Sequence, residues 1–384
     1  MQILFTIVLG AAACAWVILG TQLLAGIRRM PGIASATPLP DAALPSVSIL
    51  FSARDEAEKM PTALRSMLTL DYPKYDVIAV DDRSTDGTTK ILREFAAGCK
   101  LLRTLRVEEL PEGWLGKPHG LETAYEQSSG EWLVFTDADV NFHPELLRRA
   151  ASLALERGWD HMTIFPLIDM SGFWEKTLIS YFMLGGFLVT QPWDIPDPKS
   201  GSYAGAGAFQ LVRRSAYERM GTHRRLAMEV VDDMQLAALV KAAGYRSGVA
   251  LPDEMLRLRW HSGVANIVRG TEKNFFAVSR FRLPVVLAQI ASGLFVSVLP
   301  FLGVFLLRGW AQIAAGVAVA CAVAVHARIA RLAQASPLYG LTHPLGALLI
   351  CFMSARSAYL TLRQGGIYWR GTFYPLEALR RGAV

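Results

Sequence analysis

Three places along the chain set two carboxylates close together after an apolar run: Asp81 and Asp82 in "VDDRSTDGT", Asp137 and Asp139 in "WLVFTDADV", and Asp232 and Asp233 in "MEVVDDMQL". Carboxylates this close repel, so a cation, a covalent chemistry or exposure to water must offset the repulsion. If its strand continues through them, Asp137 and Asp139 project to the same side. Two hard oxygen donors suit Mg²⁺ or Mn²⁺, with a diphosphate completing the shell. Asp82, at the tip of a strand, can accept the imide N–H of a uracil or ribose hydroxyls, or it can simply solvate the turn. Asp232 and Asp233 open a helix, where the macrodipole favours acids. There one of them is either a cap or a general base that deprotonates an attacking hydroxyl.

Other residues extend these pairs. "FSARDEAE" puts Arg54, Asp55 and Glu56 at the end of a strand, a wall able to hold a base and ribose. "PEGWLGKPHGLETA" is a glycine turn leading through Lys117 into a helix. Its backbone can approach a phosphate, although the spacing is not that of a P-loop. Gly205, Ala206 and Gly207 permit close approach of a ligand or tight packing. In "LRLRWHSG", Arg259 can pair with a diphosphate and Trp260 can stack on a sugar. "DADV" also fits the D-x-D-x-[TV] of haloacid-dehalogenase-type phosphatases, whose first aspartate is a nucleophile. That motif belongs on a first strand, and here it follows an earlier acidic tip.

The elements that must position these residues read as α/β. "VSILF", "YDVIAV", "WLVFT" and "HMTIF" are short β-branched or aromatic runs, and helical periods fill 56–70, 86–96, 117–128 and 144–157. The alternation implies a mostly parallel sheet covered on both faces, with ligands beyond the carboxyl ends of its strands.

Apolar segments flank this region. Residues 1–27, 284–307 and 309–325 carry no charged side chain, and 345–362 is interrupted by Arg356. The first is long enough to span a bilayer, and Arg28 and Arg29 follow it, as after an uncleaved anchor whose end is cytoplasmic. The next two form a helical hairpin. "FWEKTLISYFMLGGFLVTQPW" reads as an interfacial helix because of Glu175 and Lys176, as does the amphipathic stretch 263–283. The expected organisation is an anchor (1–27), a linker (28–45), an α/β domain (46–262), an interfacial helix (263–283), membrane helices (284–362) and a basic, aromatic tail (363–384). Parity conflicts with charge: three full C-terminal spans would put the basic tail outside, unless 345–362 is re-entrant or interfacial. The net charge of +6, with 52% hydrophobic and 19% charged residues, fits a membrane face rather than nucleic acid. Cys14, Cys99, Cys321 and Cys351 form no CxxC or Cys/His cluster, which excludes a zinc ribbon or disulfide framework.

The ordered set "SARDE", "VDDRSTDGT", "GKPHGL", "TDADV", "GAGAFQLVRR", "VDDMQL" and "RW" resembles glycosyltransferase family 2 over about residues 46–262. The flanking helices resemble its membrane-bound branch, which includes ceramide glucosyltransferases and hopanoid-associated glycosyltransferases. The resemblance implies a GT-A fold and an inverting transfer from a nucleotide-diphosphate sugar, UDP-linked, to a lipid or other membrane-associated hydroxyl. Asp82 then matches the base-binding aspartate, Asp137 and Asp139 the metal-binding DxD with Mg²⁺ or Mn²⁺, and Asp233 the catalytic base beside Asp232. Arg259 and Trp260 match the end of the family's [QR]-x-x-R-W motif, and Arg54, Glu56, Lys117, Gly205, Gly207 and Asp232 join them and Asp137 as the expected substrate-binding residues. Leu256 stands where the [QR]-x-x-R-W motif has Gln or Arg, a departure from processive synthases. The implied location is the cytoplasmic face of a bacterial inner membrane. Transfer to polyprenyl phosphate, a processive synthase and a sugar-nucleotide-binding scaffold are the alternatives.

Overall fold

The computed structural model describes residues 2–383. Two compact units form: one from residues 30–167, 192–259 and the stretch from Glu377 onward, the other from the chain's start to Arg29, 168–191 and 260–376. The chain opens with helix α1 (Gln2–Ile27). It then alternates through β1 (Val47–Ala53), α2 (Met60–Leu68), β2 (Tyr75–Asp82), α3 (Thr88–Gly98), β3 (Leu102–Val107), α4 (Gly116–Glu126) and β4 (Trp132–Phe135). Next come β5 (Val140–Phe142), α5 (Leu146–Arg157), β6 (His161–Ile164), β7 (Leu167–Ile168), α6 (Gly172–Thr190), β8 (Gln210–Arg213), α7 (Arg214–Met220), α8 (Asp232–Ala242), β9 (Ser247–Ala250) and β10 (Leu256–Leu258).

Seven of these strands make one sheet in the order β3-β2-β1-β4-β8-β6-β9. Only β8 runs against the rest: it pairs antiparallel with both β4 and β6, whereas β3, β2, β1 and β4 pair in parallel. β4 is buried at every position and β1 at all but one, as befits strands covered on both faces. One side of the core gathers Leu50, Ile78, Val80, Leu133 and Phe135 with Leu121 of α4, Tyr217 of α7 and Leu236 and Val240 of α8.

The register creates the space for a site. Ala53 of β1 lies opposite Asp81 of β2, but Phe135, the last residue of β4, lies opposite Leu50. β4 therefore stops three residues short, and the chain carrying Asp137 and Asp139 turns off the sheet. The strand does not continue through the two aspartates, as same-side projection would require. Thr136 closes it instead, its N–H donating to Leu50 O at 3.1 Å and its hydroxyl to Ala208 O at 2.7 Å.

The other unit is helical: α1 and α6, then α9 (Val264–Val278), α10 (Leu283–Ser297), α11 (Leu299–Leu306), α12 (Trp310–Leu332) and α13 (His343–Gln364). It ends in a hairpin of β11 (Gly366–Trp369) and β12 (Thr372–Pro375). Residues from Leu376 to Gly382 form α14, so the tail expected at 363–384 is folded into a hairpin and a helix. Among the described residues, four helical stretches are long and apolar enough to cross a membrane: Gln2–Ile27, Leu283–Leu306, Trp310–Leu332 and Pro337–Gln364. α6 is not among them. α1 buries Leu9, Ala12, Ala13, Trp16, Gly20 and Leu23, a helical stripe, and packs on the alanine-rich face of α12, where Leu9 meets Ala311 and Ala315. The break between α10 and α11 follows from Pro300, which has no N–H for the carbonyl of Val296. The indole N–H of Trp16 donates to that carbonyl at 2.9 Å instead. Arg356 does not interrupt its segment at a cost, because its guanidinium reaches Glu272 of α9 at 2.7 Å.

Candidate functional site

The site is built in the sheet unit, at the carboxyl ends of β1, β2 and β4. The two aspartates of β2 have different surroundings. Asp81 is buried and accepts from Ser84 N–H at 3.0 Å, from Arg106 Nη1 at 2.9 Å and from the Thr89 hydroxyl, which makes it a turn-forming group. Asp82 takes a two-point fork from Arg83, Nε at 2.7 Å and Nη2 at 3.1 Å, with Arg54 Nη1 at 4.0 Å. Arg83 adopts a left-handed φ of 57° and Asp55 one of 54°, a backbone cost that clusters at ligand sites. Asp55 ties the two loops together, accepting from Thr85 N–H at 2.7 Å, and Glu56 N–H donates to Thr88 Oγ1 at 2.9 Å. The glycine turn comes up against the same carboxylate: a side chain at Gly116 would collide with Asp82.

The second and third acidic pairs meet through Lys117. Its Nζ lies 2.7 Å from Asp137 Oδ1 and 3.9 Å from Asp232 Oδ2. Burial alone would lower the pKa of Lys117, but Asp137, Asp232 and Asp233 raise it above the ordinary lysine value, so the ammonium stays charged. Asp139 turns to a different lysine, Lys59, at 3.2 Å. Lys59 Nζ also donates to the Arg259 carbonyl at 3.0 Å, which brings the backbone of Arg259 to this edge. Burial, and then the charge of Asp137, push the carboxyl of Asp139 up to about 6.

Asp233 is held by backbone. Gly207 N–H donates to its Oδ2 at 2.9 Å, and Met234 N–H to its Oδ1 at 2.8 Å. A side chain at Gly207 would run into Asp137 and Lys117, and one at Gly205 would strike the backbone of Asp233. The small residues therefore serve the approach of this loop to the acids. Asp232 is buried at the first turn of α8.

Of the residues singled out from sequence, Arg54, Glu56, Asp82, Lys117, Asp137, Asp139, Gly205, Gly207, Asp232, Asp233 and Arg259 all fall in this unit. Trp260 belongs to the other unit, where its ring is 5.3 Å from that of Phe182 in a cluster with Leu178 and Ile179. Leu256 is fully buried in β10, opposite Phe142, so the departing motif position is a sheet residue here. Lys59 and Arg83 escaped the sequence reading. Each is a lone cation in a charged loop, and only the fold shows which carboxylate it meets.

A sheet of this topology, with acids at the tips of adjacent parallel strands and one antiparallel strand beyond them, defines a GT-A-type sugar-nucleotide transferase fold. It is similar over 92% of the chain, at 20% identity and a TM-score of 0.55, to the mannosyltransferase PcManGT of Pyrobaculum calidifontis, solved with GDP-Man and Mn²⁺ and covered over 98% of its length. Residues 48–220 match the family model described as Glycosyl transferase family 2. The chain carries a glycosyl transferase family 2 domain and is a glycosyltransferase. Its similar proteins include the glycosyltransferase AglE of Haloferax volcanii, 34% identical over 119 residues, a match covering 30% of this chain and 38% of that protein. Another is the 4,4'-diaponeurosporenoate glycosyltransferase of Staphylococcus aureus, 22% identical over 343 residues, covering 86% of this chain and 89% of that protein.

Proposed function

We propose that this protein transfers a sugar, with inversion, from a nucleoside-diphosphate donor to a hydroxyl of a lipid or other membrane-associated acceptor. The observation that carries this reading is Lys117, which gathers Asp137 and Asp232 around one ammonium beside the glycine loop that holds Asp233. Asp82, gripped by Arg83 and near Arg54, is placed to take the N–H donors of a base or the hydroxyls of a ribose. Lys117 and Arg259 supply positive charge for the diphosphate. Asp233 takes the proton of the acceptor hydroxyl as its oxygen attacks the anomeric carbon and the nucleoside diphosphate leaves. The backbone N–H groups on Asp233 fix its orientation through that step.

The residues fit a divalent cation. Among the described residues no three His, Cys, Asp or Glu side chains converge as a closed cage. Asp137 and Asp139 offer two hard oxygens, which is the open arrangement Mg²⁺ or Mn²⁺ uses when phosphate and water complete the shell. Burial, and then the charge of Asp137, raise the pKa of Asp139, and a bound cation would oppose both. A bound cation would neutralise charge on the leaving diphosphate. The mannosyltransferase neighbour held Mn²⁺ and GDP-Man, so guanine and uracil donors both belong in the test. The four apolar helices support membrane insertion. The Staphylococcus aureus relative, aligned over most of both chains, is named for transfer to 4,4'-diaponeurosporenoate.

The test is to incubate membranes carrying the protein with labelled UDP- and GDP-sugars and to analyse the lipid extract. Labelled lipid is expected from one donor, with Asp139→Ala and Asp233→Asn each reducing it by about 100-fold or more. Equal product from Asp139→Ala would overturn the metal assignment. Full activity of Asp233→Asn would favour a phosphate acceptor, which needs no base.

A further inference from the structure

Behind the acid pair lies a buried polar chain that the transfer step described above does not use. His223 is 1% exposed. Its Nε2 stands 3.9 Å from Asp232 Oδ2, on the same oxygen that Lys117 approaches at 3.9 Å. Its Nδ1 is 2.7 Å from the hydroxyl of Tyr217, itself fully buried. That phenol accepts the backbone N–H of His223 at 2.9 Å and has one proton to give. Two acceptors compete for it: Nδ1 at 2.7 Å and Glu122 Oε2 at 3.3 Å. Thr222 Oγ1 at 3.0 Å and Arg224 Nε at 2.8 Å serve the other oxygen of Glu122, Oε1. The shorter contact, to Nδ1, takes the proton, which spares Nε2 from setting a lone pair beside the Asp232 carboxylate. Nδ1 is then the acceptor, and the ring's own hydrogen sits on Nε2, directed at Asp232. The ring is neutral, since burial and the charge of Lys117 push its pKa down to about 3.

We propose that His223 is a positioning residue for the acid pair: Tyr217 fixes its Nε2–H tautomer, and that N–H opposes Lys117 across the carboxylate of Asp232, setting the first turn of α8. Asp233 is the next residue on that turn, so its carboxylate meets Gly207 and the acceptor hydroxyl only while Asp232 is held. The proposal rests on reading Asp233 as the base. It explains why two buried aromatic polar groups and a buried glutamate lie in line behind α8 rather than an apolar core. It also gives Asp232 a role distinct from its neighbour, as the held member of the pair.

The experiment compares His223→Gln, His223→Asn and Tyr217→Phe in the membrane-embedded protein, reading kcat, donor KM and thermal midpoint. A glutamine amide reaches the position of Nε2, whereas an asparagine amide reaches only that of Nδ1. His223→Gln is expected to keep kcat within about threefold, and His223→Asn to lose about tenfold or more with donor KM nearly unchanged, because orientation and not donor binding is lost. Tyr217→Phe, which frees the tautomer, is expected to fall between them. Equal kcat for the Gln and Asn variants overturns the proposal. So does a kcat loss that follows the thermal midpoint across all three, or one matched by a rise in donor KM. Asp233→Asn, run alongside, separates the two readings: full turnover there overturns the base assignment, independently of how the two His223 variants compare.

Discussion

The carboxylates of the DAD turn do not face one another across empty space; each has drawn a lysine. Lys59 is the cation on Asp139 at 3.2 Å, and a divalent ion bound to that carboxylate must displace it or share it. Removing the ammonium removes a competitor, so Lys59→Met is expected to tighten Mn²⁺ binding in the absence of nucleotide, by roughly threefold to tenfold for a half-buried pair. Calorimetry or the spin-resonance signal of free Mn²⁺ reads this directly; unchanged or weaker binding would show that Lys59 organises Asp139 rather than competes for it. A second residue-scale effect concerns stability. His161 is fully buried beside Gln210, at 3.0 Å, and burial pushes its pKa down to about 4. In the unfolded chain an ordinary histidine takes up its proton near pH 6.5. Between those values the unfolded state binds a proton that the folded state refuses, so stability falls as pH drops from about 6.5 to 4, by roughly 1.4 kcal/mol per pH unit for this group. The thermal midpoint of His161→Gln is expected to decline less steeply across that window, and parallel declines would remove His161 as the cause.

At the scale of elements, one buried acid organises two helix starts. Glu175 of α6 accepts from Ser171 N–H at 2.7 Å, at the cap of its own helix, and from Gly263 N–H at 2.6 Å, at the cap of α9. Both N-termini present unpaired N–H groups and positive partial charge, so one carboxylate stabilises both. Glu175→Ala is expected to cost about 2–4 kcal/mol, and Glu175→Gln less, since an amide oxygen still accepts. Thermal unfolding in detergent checks both, and an unshifted midpoint for the alanine variant would deny the double cap. From sequence, Glu175 reads as a charge that keeps α6 at an interface. The fold makes it an internal cap, and no local pattern announces a partner 88 residues away. The same limit separates what was legible from what was not. β1, β2, β4 and β6 were visible because parallel strands buried on both faces read as continuous apolar runs. β8, "QLVR", was not, because a four-residue strand ending in arginine has neither length nor alternation. The three acid pairs and the Gly–Lys turn stood out as motifs. The contact of the second and third pairs through Lys117 depended on where β4 stops, which is a matter of register. Trp260 was expected at the site from the R-W end of its motif; its ring packs beside Phe182, and the unit boundary falls between it and Arg259.

For the whole molecule, contacts within the helical unit support a prediction of the side on which β11 and β12 lie. α12 finishes at Leu332, yet the short turn that follows brings Gly340 back against Val323 and Ala327, and α13 begins at His343, whose ring lies 5.4 Å from that of His326 and 5.0 Å from that of Trp16. His326 is six residues, about 9 Å of helix, inside the end of α12, and Trp16 lies in the middle of α1. The other end of α13 meets α9, which precedes the crossing helix α10: Arg356 pairs with Glu272, and Lys273 covers the ring of Trp369 in the following hairpin at 4.0 Å. In a bilayer, a helix that starts at that depth and returns to the level of α9 would dip in and come back, which we propose for α13. α1, α10–α11 and α12 would then be the three crossings, with the end of α13 on the side from which α9 starts. This arrangement removes the conflict with charge. Arg28, Arg29, Arg280, Arg282, Arg328, Arg331, Arg363 and Arg370 would then share one face, with Arg308, between α11 and α12, on the other. In a variant lacking the four native cysteines, single cysteines at Lys90, Arg308 and Arg370, all exposed positions, report the sides to a membrane-impermeant maleimide. Lys90→Cys and Arg370→Cys are expected to react from the same face of oriented vesicles, and Arg308→Cys only from the opposite one. Reaction of Arg370→Cys together with Arg308→Cys would make 343–364 a full span and put the tail across the membrane from the catalytic residues.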